Sequence, residues 1–272
     1  MTASGLTDQG VRTRLALDRM IAGALWRMPR ARPLFERFQA AQTDRHYGWS
    51  MSHPEHFDDQ LPPAYGPRLT ERAVEFGWVA AQRPRGRVLD AGSALNHRVT
   101  LTHLLPMMES LTIVTLAPED RSFPELGVEY RYEDLRSLSL PGDQFDTIVS
   151  VSTLEHVGLD NTRFHGAQAA EGDPNLGAHE AVRELTRVAR PGADLLITVP
   201  FGASWRDSWV RVFDAGELDD LIAAARPARV QEAIYRRGAG GWQRTDRAGA
   251  AGAEFQRFWA EAVACVRLTL PA

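Results

Sequence analysis

The sequence predicts an α/β fold in which a mostly parallel sheet is covered by helices on both faces. From Gly86 onward, short apolar strands alternate with helical segments, which is typical of parallel strands joined by crossover helices. The chain has 272 residues, of which 44% are hydrophobic. That is enough to bury one large core, so we expect one main domain with extensions.

The order of apolar and polar residues predicts the individual elements. Strands are predicted at residues 87–91, 111–116, 128–133, 145–151, 193–199, 229–236 and 262–270. Helices are predicted at 69–82, 179–189 and 215–225. Pro191 and Gly192 are expected to stop a helix before the fifth strand. A Gly-rich loop and a helix are expected between the last two strands, which would form an antiparallel hairpin.

Two segments precede this core. We predict that residues 1–66 form a helical extension with a lid and that residues 67–272 form the main domain. Residues 11–41 carry seven arginines and apolar residues at mostly helical spacing, which predicts an amphipathic helix packed on the domain. A membrane-surface or anionic-partner role is the alternative. Residues 45–65 are polar, aromatic and rich in histidine, and they contain two adjacent prolines, as expected of a loop or lid.

Composition excludes several classes of function. A net charge of −4 and a pI of about 6.1 give no attraction to a phosphate backbone, so no nucleic-acid partner is expected. All 31 Lys and Arg residues are arginine, which excludes a P-loop or Schiff-base lysine. The single cysteine, Cys265, allows neither an internal disulfide nor a Cys-rich zinc site. With no signal-peptide pattern and no transmembrane segment, we expect a cytoplasmic protein.

A turn of small residues follows the first predicted strand. Residues 88–93 (VLDAGS) form a strand that runs into this turn, where backbone amides can approach a ligand closely. Ala94 and His97 occupy the later glycine positions of G-x-G-x-x-G, which disfavours a dinucleotide whose pyrophosphate needs an open helix start. A tight turn packed against a neighbouring helix is the alternative interpretation.

Three further motifs follow this turn in sequence. The acids Glu133 and Asp134 follow the third strand, Phe145-Asp146 begins the fourth, and residues 187–192 (RVARPG) join a helix to the fifth. This order resembles that of the class I S-adenosylmethionine-dependent methyltransferases over about residues 86–199. The resemblance implies a Rossmann-like fold with a seven-stranded, mostly parallel sheet, helices on both faces and an N-terminal helical extension. It also implies S-adenosylmethionine as the methyl donor.

The resemblance places the cofactor at the carboxyl ends of the first four strands. It assigns the methionine part to the turn after the first strand: Asp90, Ala91, Gly92 and Ser93. It assigns the adenine edge to residues after the third strand: Glu133, Asp134 and Leu135. For the ribose two alternatives stay open, namely Glu119, or the backbone and hydroxyl groups of Thr115, Leu116 and Ala117. Ser152, after the fourth strand, completes the set.

The loop after the fourth strand carries the candidate catalytic residues. Its sequence at 152–159 (STLEHVGL) resembles that of methyltransferases associated with sugar and polysaccharide modification. Methyl transfer needs an acceptor at attack distance and a group that takes its proton. His156, with Glu155 beside it, is the candidate general base because imidazole has a pKa of about 6.5. The alternative is that Glu155 and His156 only brace the loop.

The same two residues are a candidate metal site. Ubiquinone-pathway O-methyltransferases, which this stretch also resembles, place a metal on Glu-x-x-Glu-His, where this chain has Ser152 in place of the first acid. A divalent metal such as Mg²⁺ on Glu155 and His156 would acidify an acceptor hydroxyl. It would need a further ligand, from Asp160 or from residues 53–59.

The acceptor wall is predicted from three segments: residues 46–59, the insertion at 161–177, and Trp205, Arg206, Trp209 and Arg211, which equally suit a core edge. The expected acceptor is a small molecule or saccharide, methylated on a sugar, glycan or polyol hydroxyl. A natural product methylated on oxygen or nitrogen is the alternative. From other classes, a nicotinamide-dependent oxidoreductase and a non-catalytic Rossmann binding module stay open. A homo-oligomer is compatible with the sequence.

Overall fold

The computed structural model describes residues 43–272 apart from 59, 67–68, 163–172, 174 and 257–258. The amphipathic helix predicted at 11–41 lies outside these residues. The chain divides into two compact units, Met1–His46 and Tyr47–Ala272, and the second contains the sheet and the candidate site. Within the described ranges, every helix is too short or too polar to cross a lipid bilayer.

An eight-stranded sheet forms the centre of the second unit. Its strands are β1 (Arg87–Ala91), β2 (Ser110–Thr115), β3 (Glu129–Tyr132), β4 (Phe145–Val151), β5 (Ala189–Pro200), β8 (Arg229–Gly238), β9 (Gly241–Thr245) and β12 (Ala262–Thr269). They lie in the order β3-β2-β1-β4-β5-β12-β8-β9. The first five are mutually parallel, whereas β12 is antiparallel to both β5 and β8, and β9 is antiparallel to β8.

Helices cover both faces of this sheet. They are α1 (Glu55–Asp58), α2 (Arg72–Gln82), α3 (Arg98–Leu104), α4 (Gly177–Val188), α5 (Ala215–Ala224) and α6 (Arg247–Ala250). Apolar residues of α2 and α3 bury one face, and apolar residues of α4 and α5 bury the other. The predicted Rossmann-like α/β fold, with a mostly parallel sheet between helical layers, is confirmed.

Two small hairpins lie beside the sheet. Strands β6 (Trp205–Arg206) and β7 (Arg211–Val212) form the first, and β10 (Phe255–Gln256) and β11 (Trp259–Ala260) form the second. Both come after β5 in the chain, so they lie outside the segment that carries the predicted motifs.

The structure differs from the predicted elements around two glycine-containing segments. The Gly-rich segment expected as a loop forms a tight hairpin, in which Gly238 pairs with Gly241, and adds β9 as an eighth strand. Helix α4 ends at Val188 and β5 starts at once, so Pro191-Gly192 lies in an irregular stretch of β5 and not in a helix stop before it. Gly192 has a φ of +75°, which glycine adopts without strain.

Residues 47–65 are part of the core, in contrast to the loop or lid predicted there. The segment is helical at 47–52 and in α1, and it buries four apolar side chains: Met51, Phe57, Leu61 and Tyr65. The hydroxyl of Tyr235 in β8 donates to the Phe57 carbonyl (2.8 Å), and the Trp242 amide in β9 donates to the Tyr65 carbonyl (2.8 Å). The segment therefore covers one face of β8 and β9.

We predict that Gly77→Ala destabilises the protein, because a methyl group at Gly77 in α2 would overlap the buried ring of Phe57. Although alanine is the better helix former, overpacking should lower the free energy of unfolding by about 1–3 kcal/mol, measured by urea denaturation.

Gly216→Ala in α5 is the matched control, since only a side-chain oxygen of Asp214 lies near the new methyl group, at 3.5 Å. This variant should be as stable as the wild type or slightly more stable. Unchanged stability of Gly77→Ala would contradict the packing of Phe57 on α2.

Candidate functional site

A cavity of about 510 Å³ opens at the carboxyl ends of β1, β2, β3 and β4. Its walls come from the turn after β1, the loop after β2, the turn after β3 and the loop after β4, with Arg72 of α2 at one side. Ligands of open α/β sheets bind at this edge. The topology therefore brings the Gly92 turn, the acids after β3 and the loop after β4 to one place.

Most of the predicted site residues line this cavity: Gly92, Ser93, Thr115, Leu116, Glu133, Asp134, Leu135, Ser152 and His156. Four others are buried and do not line it: Asp90, Ala91, Ala117 and Glu155. The sequence analysis missed several lining residues: Arg72, Asn96, His97, Arg121 and Thr153. Of these, Asn96 and His97 lie next to the predicted turn, whereas Arg72 reaches the cavity from a distant helix with no motif to mark it.

The turn after β1 is shaped by a close backbone approach. Gly92 has a φ of +113°, and a methyl group there would overlap the side chain of Thr153 in the loop after β4. Its amide donates to the Val114 carbonyl of β2 (2.8 Å). Only glycine combines this conformation with this contact, so the turn after β1 packs directly on the loop after β4.

Asp90 lies buried beneath this turn. One carboxylate oxygen, Oδ2, accepts from the Leu95 amide (2.8 Å), whereas Oδ1 has no hydrogen-bond partner in the described part of the chain. Burial raises the pKa of Asp90 to about 7, opposed by the bond from Leu95, and the nearby Glu119 adds to the rise. Asp90 is therefore a buried acceptor whose charge is not compensated by the protein alone.

Both ribose alternatives have members at the cavity wall: Glu119, and Thr115 with Leu116. Although β2 ends at Thr115, the following loop returns Glu119 to the cavity. The Ser93 hydroxyl donates to Glu119, and Asn96 Nδ2 donates to Glu119 Oε2 (2.9 Å). Glu119 is thus tied to the turn after β1, and Ala117 is buried away from the cavity.

Both acids after β3 accept hydrogen bonds from nearby residues. Arg136 holds both carboxylate oxygens of Asp134, with Nε–Oδ1 at 3.0 Å and Nη2–Oδ2 at 2.7 Å. Burial raises the pKa of Asp134, but the hydrogen bonds from Arg136 outweigh it and lower the pKa below its usual value. Glu133 accepts from the amide and hydroxyl of Ser139 (2.6 and 2.7 Å). Asp134 therefore meets the cavity as a carboxylate paired with arginine.

The start of the loop after β4 is held from below by Glu75. Glu75 is fully buried in α2, and its Oε1 accepts from the hydroxyls of Ser152 (2.5 Å) and Thr198 (2.6 Å). Its Oε2 accepts from Arg72 Nη1 (2.8 Å), which also donates to the Val151 carbonyl (3.3 Å). The Ser152 hydroxyl, predicted as a cofactor contact, is thereby directed into the core.

His156 is oriented by the segment that follows β6. Its Nδ1 lies 2.6 Å from the Trp209 carbonyl, and because a carbonyl only accepts, Nδ1 carries the proton of the neutral ring. The imidazole also stacks on the Trp209 ring, with centroids 5.2 Å apart and planes at 10°. Nε2 is therefore the basic nitrogen, on a ring that cannot rotate without losing both contacts.

Glu155 is the buried neighbour of this histidine. Its side chain is 3% exposed, its Oε2 has no hydrogen-bond partner among the described residues, and Oε1 lies 3.9 Å from His156 Nε2. Burial raises the pKa of Glu155 well above its usual value. Burial therefore favours the neutral form of this carboxyl group.

The predicted divalent metal does not fit these donors. Glu155 and His156 would supply two ligands, but no third His, Cys, Asp or Glu joins them in the described ranges. Asp160 is fully exposed, and its Oδ1 accepts from the amide and hydroxyl of Thr162 (2.9 and 2.6 Å). Asp59, in the other segment considered, lies outside the described residues.

The predicted acceptor wall is only partly assembled. Trp209 lies on His156, Trp205 is 45% exposed and stacks on Phe255 (5.9 Å), and Arg211 is buried. His53 and His56 stack on Trp49 and do not line the cavity. From the insertion, Asn161 lines the cavity, whereas residues 163–172 lie outside the described part of the chain.

We predict that Glu75→Ala destabilises the fold, since it removes three hydrogen bonds and leaves Arg72 without its carboxylate. Because the Arg72 side chain is still 30% exposed, the free energy of unfolding should fall by about 2–3 kcal/mol, below the usual cost of breaking a buried pair.

Urea denaturation measures this change, and Glu125→Ala is the control. The Arg98–Glu125 pair is exposed on both sides, so its loss should change stability by less than about 0.5 kcal/mol. Equal effects of the two substitutions would show that Glu75 does not support the site.

Comparison with known proteins identifies no relative in sequence: no family model and no curated protein matches this chain. Solved structures do match in fold. The YcgJ protein from Bacillus subtilis is 16% identical, over 73% of this chain and 98% of that one, with a TM-score of 0.45. The [4+2]-cyclase SpnF is 17% identical, over 76% and 84%, with a TM-score of 0.48. The 1,6-didemethyltoxoflavin-N1-methyltransferase from Burkholderia thailandensis, with bound S-adenosylhomocysteine, is 18% identical, over 70% and 74%, with a TM-score of 0.45. At these values the likeness concerns the fold alone.

Proposed function

We propose that this chain is an S-adenosylmethionine-dependent methyltransferase that methylates a hydroxyl of a sugar, glycan or polyol, with His156 as general base. The observation that carries the proposal is the convergence, around one cavity, of the Gly92 turn, the carboxylate of Glu119 and an imidazole of defined tautomer. Each group comes from the end of a different parallel strand.

The cavity suits a nucleoside-sized cation. Its volume of about 510 Å³ falls within the range of small-molecule sites, roughly 300–1,000 Å³. The methionine part would lie over the Gly92 turn, where the unpartnered Oδ1 of Asp90 favours a positive charge. Glu119 would accept from the ribose hydroxyls, and Leu116 and Leu135 would contact the adenine. Asp134, Glu133 and the Ser152 segment complete this end of the site.

The catalytic step follows from the orientation of His156. S-adenosylmethionine supplies a methyl group on a positively charged sulfur. An O–C bond to the acceptor would form as the S–C bond breaks and S-adenosylhomocysteine leaves; the acceptor proton would pass to Nε2 of His156 while the Trp209 carbonyl keeps Nδ1 protonated. The imidazolium formed is then stabilised by the Trp209 face beneath it. Glu155 lies beside the ring, and burial favours its neutral form.

The acceptor class is supported by the aromatic side chains beside His156. Trp209 contacts His156 on one side and Phe255 on the other (5.9 Å, planes at 79°), and Trp205 extends the aromatic surface towards solvent. Flat aromatic faces next to polar groups suit a sugar ring. The same faces would also accept a flat natural product, which keeps O- or N-methylation of such a compound as the second candidate.

We predict that S-adenosylmethionine binds, that NAD does not, and that binding strengthens with pH. Titration calorimetry should show the affinity rising as the pH increases through about 7, because a cation stabilises the ionised form of Asp90. In the free protein the sign is opposite: the raised pKa means that the contribution of Asp90 to stability is lost as pH rises through about 7.

Asp90→Asn tests this assignment, and Asp219→Asn, at an exposed ion pair, is the control. The Asp90 variant should bind more weakly and lose the pH dependence, whereas the control should keep both. Tight binding of NAD without binding of S-adenosylmethionine would overturn the proposed function.

We predict that His156→Ala keeps its affinity for S-adenosylmethionine but loses about 10²–10⁴-fold in turnover, the usual contribution of a general base. Methyl transfer is measured by mass spectrometry as the gain of one methylene on candidate acceptors. His179→Ala, at a partly exposed helix position that does not line the cavity, is the control. Unchanged turnover would remove His156 from the mechanism.

A further inference from the structure

Arg211 is a buried cation beside the catalytic loop. It lies in β7, directly opposite Arg206 of β6, and it is only 5% exposed. Its guanidinium carbon lies 5.5 Å from the centre of the Phe213 ring. Strand β7 packs against the turn at 154–156 that carries Glu155 and His156. His156 and Arg211 therefore lie on segments that pack against each other.

One edge of the Arg211 guanidinium has no partner. Both Nε and Nη2 are buried and lack a hydrogen bond in the described part of the chain. These two nitrogens lie on the same side of the guanidinium plane and point their N–H groups in parallel, which matches the two oxygens of a carboxylate. Buried arginine donors are normally satisfied, so this edge indicates a ligand.

Other arginines of this chain show what the same edge binds. Arg267 places Nε and Nη2 on the two oxygens of Asp194 (3.0 and 2.7 Å), and Arg247 does the same on Glu232 (3.0 and 2.7 Å). Arg136 repeats the arrangement on Asp134. The same edge of Arg211 is buried, and no carboxylate of the described residues pairs with it.

The charges around Arg211 do not replace that partner. Glu217, Asp173 and Glu155 attract it, but none forms an ion pair with it within the described ranges, and Arg206 repels it. Burial is the largest effect and lowers the pKa of Arg211. No carboxylate of the described residues therefore satisfies Nε and Nη2 of Arg211.

Its position assigns the anion to the acceptor side of the site. Trp209, two residues before Arg211, accepts from His156 Nδ1, and the Ser208 carbonyl accepts from the Asp160 amide (2.8 Å). These bonds hold the 208–211 segment against the loop after β4. The cofactor residues around Gly92 and Glu119 lie on the opposite side of His156 along the sheet edge.

We propose that Arg211 binds a carboxylate of the acceptor through its Nε and Nη2 edge, so that the acceptor is a hydroxylated carboxylic acid such as a uronic acid. This inference rests on the proposed function and narrows its acceptor class. A planar carboxylate places two oxygens on one guanidinium edge, and the aromatic face of Trp209 then receives the ring that bears the hydroxyl.

The experiment uses full-length protein saturated with S-adenosylhomocysteine and three probes: D-glucuronate, D-glucose and inorganic phosphate. Binding is measured by calorimetry and by the shift of Tm, at constant ionic strength set with chloride. We expect saturable binding of glucuronate and none of glucose. Phosphate binding in place of glucuronate would overturn the carboxylate assignment, and no saturable binding of either anion would overturn the whole inference.

Two variants link binding to the residue. Arg211→Met should weaken glucuronate binding by about tenfold or more, because two charge-assisted hydrogen bonds are lost. Arg190→Met, in an ion pair with Asp146 elsewhere on the chain, should bind as the wild type does. Equal affinity in Arg211→Met and the wild type would overturn the proposal.

Arg211→Lys keeps the test valid if Arg211→Met does not fold. The chain has no other lysine, so isotope-labelled lysine gives a single side-chain NMR signal from this position. The signal should shift on addition of glucuronate and not of glucose; an unchanged signal would contradict the inference. Binding of S-adenosylhomocysteine in the same samples separates the outcomes: its absence contradicts the proposed function, and its presence without a glucuronate response contradicts only the role of Arg211.

Discussion

The buried carboxylate of Glu75 is the interaction on which the site depends. It joins three elements that are far apart in the chain: α2 through Arg72, the end of β4 through Ser152, and the carboxyl-terminal part of β5 through Thr198. Arg72 in turn lines the cavity. The loop that carries Glu155 and His156 is therefore fixed at its start by hydrogen bonds to Glu75 and Arg72.

The contacts around Glu75 bring several ionisable side chains together in the protein interior. Glu71, Glu75 and Glu155 all lie near Arg72, so acidic groups outnumber the cation that compensates them. Burial, followed by the neighbouring Glu75 carboxylate, raises the pKa of Glu71 to about 7. Glu75 is stabilised in this cluster by hydrogen bonds from Arg72, Ser152 and Thr198. The same low-dielectric surroundings strengthen any interaction of the cavity with a charged ligand.

Local patterns in the sequence were sufficient for most of the fold and for the location of the site. The strand and helix periodicities predicted the parallel sheet, and the order of the motifs predicted that the Gly92 turn and His156 meet at one edge. Strand β9 was missed because a run of glycines is typical of a loop until its pairing with β8 is known. Residues 47–65 were predicted as a loop because they are rich in histidine. In the structure a histidine of this segment stacks on Trp49, and Phe57 and Tyr65 are buried in the core.

The parts of the site that could not be predicted all depend on contacts between distant segments. The sequence could not place Glu119 at the cavity wall, because the bonds from Ser93 and Asn96 that hold it there exist only in the folded chain. Arg72 lies in an otherwise ordinary helix, and its contact with the carbonyl of Val151 has no local signal. Ser152 was predicted as a cofactor contact from its position in the loop, whereas its hydroxyl donates a hydrogen bond to the buried Glu75.

The contact between Gly92 and Thr153 couples the turn after β1 to the loop after β4, so neither can be remodelled alone. The β6–β7 hairpin is attached differently, through backbone pairing and a few bonds to the 156–160 segment. Exchange of the hairpin would therefore change one side of His156 and leave the packing between Gly92 and Thr153 intact.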